Sequence, residues 1–160
     1  MATAHINIGS NIGDRRALIE TAVARIIDAF PGPVGISDMI ETEPWGFESP
    51  NRFLNIGLSV ETRQTTPETV FATLRAIQNA ISDASHRRPD GTYADRAVDI
   101  DLIAVGDLVI DSPPDLILPH PRMHLRPFVL IPMLELQPEW VHPLLGLTPR
   151  QMLESTASTR

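Results

Sequence analysis

The run His5-Ile6-Asn7-Ile8 alternates polar and apolar residues up to Gly9, the period of two that belongs to a strand. Gly9-Ser10-Asn11-Ile12-Gly13-Asp14 follows, rich in residues that turn a chain and cap a helix. From about residue 14 to residue 30 the period changes. Leu18, Ala22, Ile26 and Phe30 recur every four positions and predict an amphipathic helix, which Pro31-Gly32-Pro33 ends. Residues 34–42 and 53–62 read as two extended stretches, joined by Pro44-Trp45-Gly46-Phe47-Glu48-Ser49-Pro50, a loop too long for a tight hairpin. A second helix opens after Pro67, with its stripe at Val70, Leu74, Ile77 and Ile81. Residues 82–97 are polar and loop-like, and a strand runs from Val98 to about Val105. The order β-α-β-β-α-β predicts an α+β fold, a ferredoxin-like sandwich.

Beyond Ser112 the texture changes, because nine of the fifteen prolines lie between Pro113 and Pro149. Such a density works against long helices and central strands, so the tail is expected to be a proline-rich wrap around the one core. Residues 1–160 then make a single domain, a size that can bury a sizeable core without staples.

Composition narrows the function. With 42% apolar and 21% charged residues the chain is of ordinary globular type. No apolar stretch approaches the roughly 20 residues of a membrane span, and no secretory signal is expected at the N-terminus. Zero cysteines exclude a disulfide framework, a thiolate metal site and a cysteine nucleophile, and permit a cytoplasmic setting. A net charge of −7 argues against nucleic acid or an anionic membrane as the main partner. All thirteen basic residues are Arg, for which codon bias is the plain explanation. Yet Arg87, Arg88, Arg96, Arg122 and Arg126 fall in the second half, where they could hold a small polyanion.

Three segments carry candidate chemistry. In Arg96-Ala97-Val98-Asp99-Ile100-Asp101-Leu102, strand geometry turns Asp99 and Asp101 to one face and Val98, Ile100 and Leu102 to the core. Paired hard oxygens suit Mg²⁺, which takes one or two carboxylates and completes its shell with water and phosphate. Taken alone, the pair reads rather as a solvated strand face with Arg96 as salt-bridge partner. Phe53, Asn55 and Gly57 share another strand face, offering an aromatic plate, an amide and open space for a flat heterocycle. Taken alone, this segment reads rather as an ordinary edge face with an unremarkable Asn. The loop His86-Arg87-Arg88-Pro89-Asp90-Gly91-Thr92-Tyr93 could neutralise phosphates or could simply be a basic linker. Neither a P-loop nor a Rossmann fingerprint is present, and there is no GxSxG elbow.

Taken together, INIGSNIGD, the ETEPWG…FLN block, RAVDIDLI and LPHPRMHLRPFVLIPMLEL resemble, in order and spacing, the 6-hydroxymethyl-7,8-dihydropterin pyrophosphokinase family of the folate pathway. The resemblance implies a ferredoxin-like fold and transfer of pyrophosphate from ATP to the pterin hydroxymethyl oxygen, with AMP released. It implies that Asp99 and Asp101 ligate two Mg²⁺ ions. By the same resemblance, Thr42, Pro44 and Trp45 meet the pterin, Phe53 and Phe128 sandwich its ring, and Asn55 reads its edge. Arg96, His120 and Arg126 match positions that contact ATP, and Gln78 stands on the helix where the family usually has Glu. Arg87 and Arg88 lie in a loop expected to be mobile without ligand and to close over the phosphates. The implied partners are small molecules, together with other folate-pathway enzymes, for a cytoplasmic monomer that binds neither nucleic acid nor membrane. The alternative is a catalytically impaired relative that keeps the pockets and works as a binding or partner module.

Overall fold

The computed structural model describes residues 2–42, 52–62, 65–83, 97–112 and 116–158. Strand β1 (Thr3–Ser10) runs two residues beyond the predicted stretch, taking in Gly9 and Ser10, which pair with Asn55 and Leu54. Helix α1 (Arg15–Ala29) begins on the Asp14 carboxylate, which accepts the Ala17 N–H at 3.1 Å. Its buried face is Ile19, Ala22 and Ile26, with Phe30 just past the end. Leu18, placed in the stripe by its spacing, packs at the margin while Ile19 is fully enclosed.

The single extended stretch expected over 34–42 is two strands, β2 (Val34–Ile36) and β3 (Ile40–Thr42), both antiparallel to β4 (Phe53–Glu61). Between them the Ser37 hydroxyl replaces a backbone partner. It accepts the Gly57 N–H at 2.8 Å and donates to the Asp38 carbonyl at 2.9 Å. The Asp38 N–H turns instead to the Glu135 carboxylate, 3.1 and 3.2 Å from its two oxygens. Helix α2 (Pro67–Asp83) opens under a Thr66 cap and buries Val70, Leu74 and Ile81, as the stripe requires. It includes Ser82 and Asp83, assigned to the following loop by their polarity. Strand β5 (Asp99–Val105) completes the sheet.

The sheet order is β2-β4-β1-β5, with β3 also beside β4, and every pairing is antiparallel. This is the expected ferredoxin-like sandwich. On one face Ala4, Ile6, Ile8, Leu58, Val60 and Leu102 form a core with the inner sides of α1 and α2.

The tail packs on the other face of the same sheet and builds a second hydrophobic cluster there, while its Leu116 and Leu118 join the first. Ile103, Ala104, Met123, Val129, Leu130, Met133 and Met152 pack together. They draw on β5, a 3₁₀ turn at Met123–Leu125, and helices α3 (Pro127–Leu136) and α4 (Pro149–Ser158). A two-stranded sheet, β6 (Ile110–Ser112) with β7 (Leu116–Leu118), precedes them. The tail's helices stay short, ten residues each, and Pro127 and Pro149 open them, where no N–H is needed. Pro132 lies inside α3 and is buried, and the packing of this apolar helix carries the ladder past it. No helix among the described residues is long and apolar enough to cross a membrane.

Candidate active site

The sheet face turned away from α1 and α2 carries the polar residues. Register aligns two rows across three strands: Asn55–Gly9–Asp99 and Gly57–Asn7–Asp101. Directly opposed residues on a sheet lie close enough for their side chains to interact. The carboxylates therefore line the β5 side of the face and the amides the middle, with Phe53 and Thr42 paired at the far side. Asn55 is buried. Its Nδ2 donates to the Thr42 hydroxyl at 2.9 Å, and its Oδ1 lies 3.5 Å from the Asn7 Nδ2. A Cβ on residue 9 would stand 2.8 Å from that Oδ1, so glycine there makes room for the amide.

Asp99 and Asp101 are partly buried on either side of Ile100. The Ile100 N–H faces the open edge of β5 and is taken by Gln78 Oε1 at 2.8 Å. Gln78 thus ties α2 to the strand between the two carboxylates.

The tail supplies the cations. A register shift between His5 and Ile6 makes Ile103 an extra residue in β5, and its carbonyl accepts the His120 N–H at 2.7 Å. His120 Nδ1 in turn accepts the Arg122 N–H at 3.2 Å. Burial, with Arg126 and Arg122 beside it, lowers the His120 pKa to about 4. The ring is neutral at pH 7, and with Nδ1 accepting, its proton sits on Nε2 as a donor. Partial burial lowers the Arg126 pKa from its ordinary value; Asp101 and Asp99 hold it up, while Arg122 opposes them. Arg126 also stands 5.7 Å from the Phe128 ring centroid. Asp99, Asp101, Arg126, His120 and Phe128 are accordingly one neighbourhood.

Two carboxylates, with no third His, Cys, Asp or Glu gathered to them among the described residues, suit a cation that takes its other ligands from phosphate and water. The guanidinium beside them suits those phosphates. Residues 5–138 match the family model described as 7,8-dihydro-6-hydroxymethylpterin-pyrophosphokinase. The chain belongs to that family. It is 34% identical over 143 residues to the 2-amino-4-hydroxy-6-hydroxymethyldihydropteridine pyrophosphokinase of Porphyromonas gingivalis, covering 89% of this chain and 95% of that protein. The enzyme of the same name from Aquifex aeolicus is 31% identical over 90% of this chain and 86% of its own length. Among solved structures, Plasmodium falciparum HPPK-DHPS with pteroate superposes with a TM-score of 0.75 at 14% identity. That likeness is one of fold; it covers 98% of this chain and 42% of the fused one.

Of the residues singled out for this pyrophosphokinase site, Thr42, Phe53, Asn55, Gln78, Asp99, Asp101, His120, Arg126 and Phe128 are described and lie on the polar side of the sheet or along its β5 edge. Pro44, Trp45, Arg87, Arg88 and Arg96 lie outside the described residues, as does the loop expected to close over the phosphates. One expectation is overturned. The space beside Gly57 is not open to a ligand, because α3 fills it: a Cβ on residue 57 would come 2.6 Å from Pro132 Cβ and 3.2 Å from the His5 ring. Asn7 and Gly9, which line this face, were not singled out from the sequence, and Arg122 was named only among the Arg that could hold a polyanion. Alternation put Asn7 and Gly9 on a polar face, but only the register of three strands shows what they face.

Proposed function

We propose that this chain transfers the pyrophosphoryl group of ATP to the hydroxymethyl oxygen of 6-hydroxymethyl-7,8-dihydropterin in folate biosynthesis. The observation that carries the reading is the paired carboxylates of β5 beside Arg126, on the same sheet face as Phe53 and Asn55. The hydroxymethyl oxygen attacks the β-phosphorus in line; the new O–P bond forms as the bond from that phosphorus to the α,β-bridging oxygen breaks. AMP leaves, and the hydroxyl proton passes to solvent. No covalent enzyme intermediate is needed, because such transfer relies on alignment and charge neutralisation.

Asp99 and Asp101 would hold Mg²⁺, which when bound draws off negative charge from the phosphate oxygens. Arg126, desolvated but backed by both carboxylates, and the Nε2–H of neutral His120 bind the phosphates from the tail side. Gln78 keeps β5 in place and offers its Nε2 donor to the nucleotide. Phe53 and Phe128 take the two faces of the pterin ring, while Asn55 and Thr42 read its edge. Pro44 and Trp45 are assigned to the pterin, and Arg96, Arg87 and Arg88 to the phosphates, on family resemblance. We take residues 1–160 as one domain, since the tail packs on the same sheet that α1 and α2 cover, and we place the protein in the cytoplasm, in keeping with its lack of cysteine. None of these observations favours the non-catalytic alternative.

The test is direct. Purified protein with ATP, Mg²⁺ and the hydroxymethyldihydropterin should release AMP in step with a pyrophosphorylated pterin. Release of ADP instead, or no turnover at all, contradicts the proposal.

A further inference from the structure

Asn55 is 2% exposed and Asn7 is 3% exposed, so neither amide can exchange its neighbours for bulk water. Each amide has one end that only donates and one that only accepts. Asn55 donates from Nδ2 to the Thr42 hydroxyl, but a hydroxyl gives and takes hydrogen bonds equally well. Thr42 would therefore tolerate Asn55 either way round. Gly9, against the Asn55 Oδ1, offers no side chain to choose between the two. Among the described residues, the remaining side-chain contact at that end is the Asn7 Nδ2, 3.5 Å from the Asn55 Oδ1, at the outer limit of a hydrogen bond. Turning Asn55 alone would set two amide nitrogens against each other.

We infer that Asn7 is a positioning residue, one that sets which end of the Asn55 amide is offered to the pterin edge. The inference rests on the assignment of Asn55 to the pterin. Beyond its two contacts among the described residues, the Asn55 amide has one hydrogen and one lone pair to offer a ligand. Reversing the amide exchanges their places, and a ring edge with a fixed order of donors and acceptors then meets the wrong partner. Asn7 also lies opposite Asp101 on β5, so it stands between the ring-reading amide and the carboxylate pair.

Two substitutions separate orientation from mere filling of space. Asn7→Asp offers only acceptors and pulls the Asn55 nitrogen toward β1, reversing the amide; Asn7→Leu keeps the volume and removes the preference. Affinity for 6-hydroxymethylpterin is measured by calorimetry with Mg²⁺ and an ATP analogue whose α,β-bridge is methylene. Affinity for the analogue alone is measured beside it. Asn7→Asp should weaken the pterin about tenfold or more and Asn7→Leu about threefold, with analogue affinity within about twofold for Asn7→Leu. In an Asn55→Ala background neither Asn7 change should move pterin affinity by more than about twofold, a non-additivity that a general loss of packing does not produce. If Asn55→Ala leaves pterin affinity intact, the underlying assignment of Asn55 fails and the inference with it. If Asn55→Ala weakens the pterin but the Asn7 changes do not, or if their effects persist in full without Asn55, the assignment stands and the positioning role is overturned.

Discussion

Acid should destabilise this fold through one residue above all. His5 is completely enclosed between β4 and the tail, close to the Gly57 backbone, and its burial lowers the pKa from 6.5 to about 4, with Gln137 opposing only in part. The unfolded chain binds a proton at this site below about pH 6.5, whereas the folded chain refuses it until about pH 4. The unfolded state therefore holds more protons across that window, so stability is complete above 6.5 and falls as the pH drops toward 4. Linkage with these two values gives a loss of about 2 kcal/mol between pH 7 and pH 5. For a marginally stable domain of roughly 5–15 kcal/mol this is a large share. His120 shifts in the same direction, so the contribution must be isolated. His5→Phe keeps a ring in the space and removes the titration. Urea unfolding of both proteins at several pH values between 7 and 5 yields the difference in stability directly. That difference should change by about 2 kcal/mol in favour of the variant as the pH falls. Parallel curves for the two proteins would refute the reasoning and mean that His5 is protonated, or hydrated, within the fold.

Asp99→Asn and Asp101→Asn should each abolish AMP release while leaving the thermal midpoint close to that of the parent, because both carboxylates are partly buried on the polar face and neither fills the core; unfolding at ambient temperature would mark the pair as structural instead. Phe53→Ala should weaken pterin binding by about 1–3 kcal/mol, the worth of stacking a flat heterocycle on an aromatic ring, with nucleotide affinity unchanged; calorimetry that shows equal losses for both ligands contradicts the placement of the ring. Gly57→Ala sets a methyl carbon 2.6 Å from Pro132 Cβ and should cost about 1–3 kcal/mol of stability through displacement of α3; denaturation that matches the parent would show that the helix shifts freely.

The local elements were legible in the residues themselves. The turn of capping residues ahead of α1, the stripe Val70-Leu74-Ile81 and the alternation through Asp99 and Asp101 each obey rules that act over a few residues, so helix, strand and facing direction follow without the rest of the chain. The motif order carried the family in the same way. Even there, spacing favoured Leu18 where packing chose Ile19, since a four-residue step alone does not say where the stripe is centred. What lies opposite what is another matter. The row Asn55–Gly9–Asp99 joins three distant segments, and only strand register sets it. Alternation marked His5, Asn7 and Gly57 as a polar strand face, and such a face is ordinarily solvated. Here the tail covers it. Val129, Leu130 and Met133 are buried on α3, and Pro132 reaches the sheet through the gap that Gly57 leaves. The cost of enclosing those polar groups is set against apolar burial from a segment more than sixty residues away, a balance that exists only once the chain has folded.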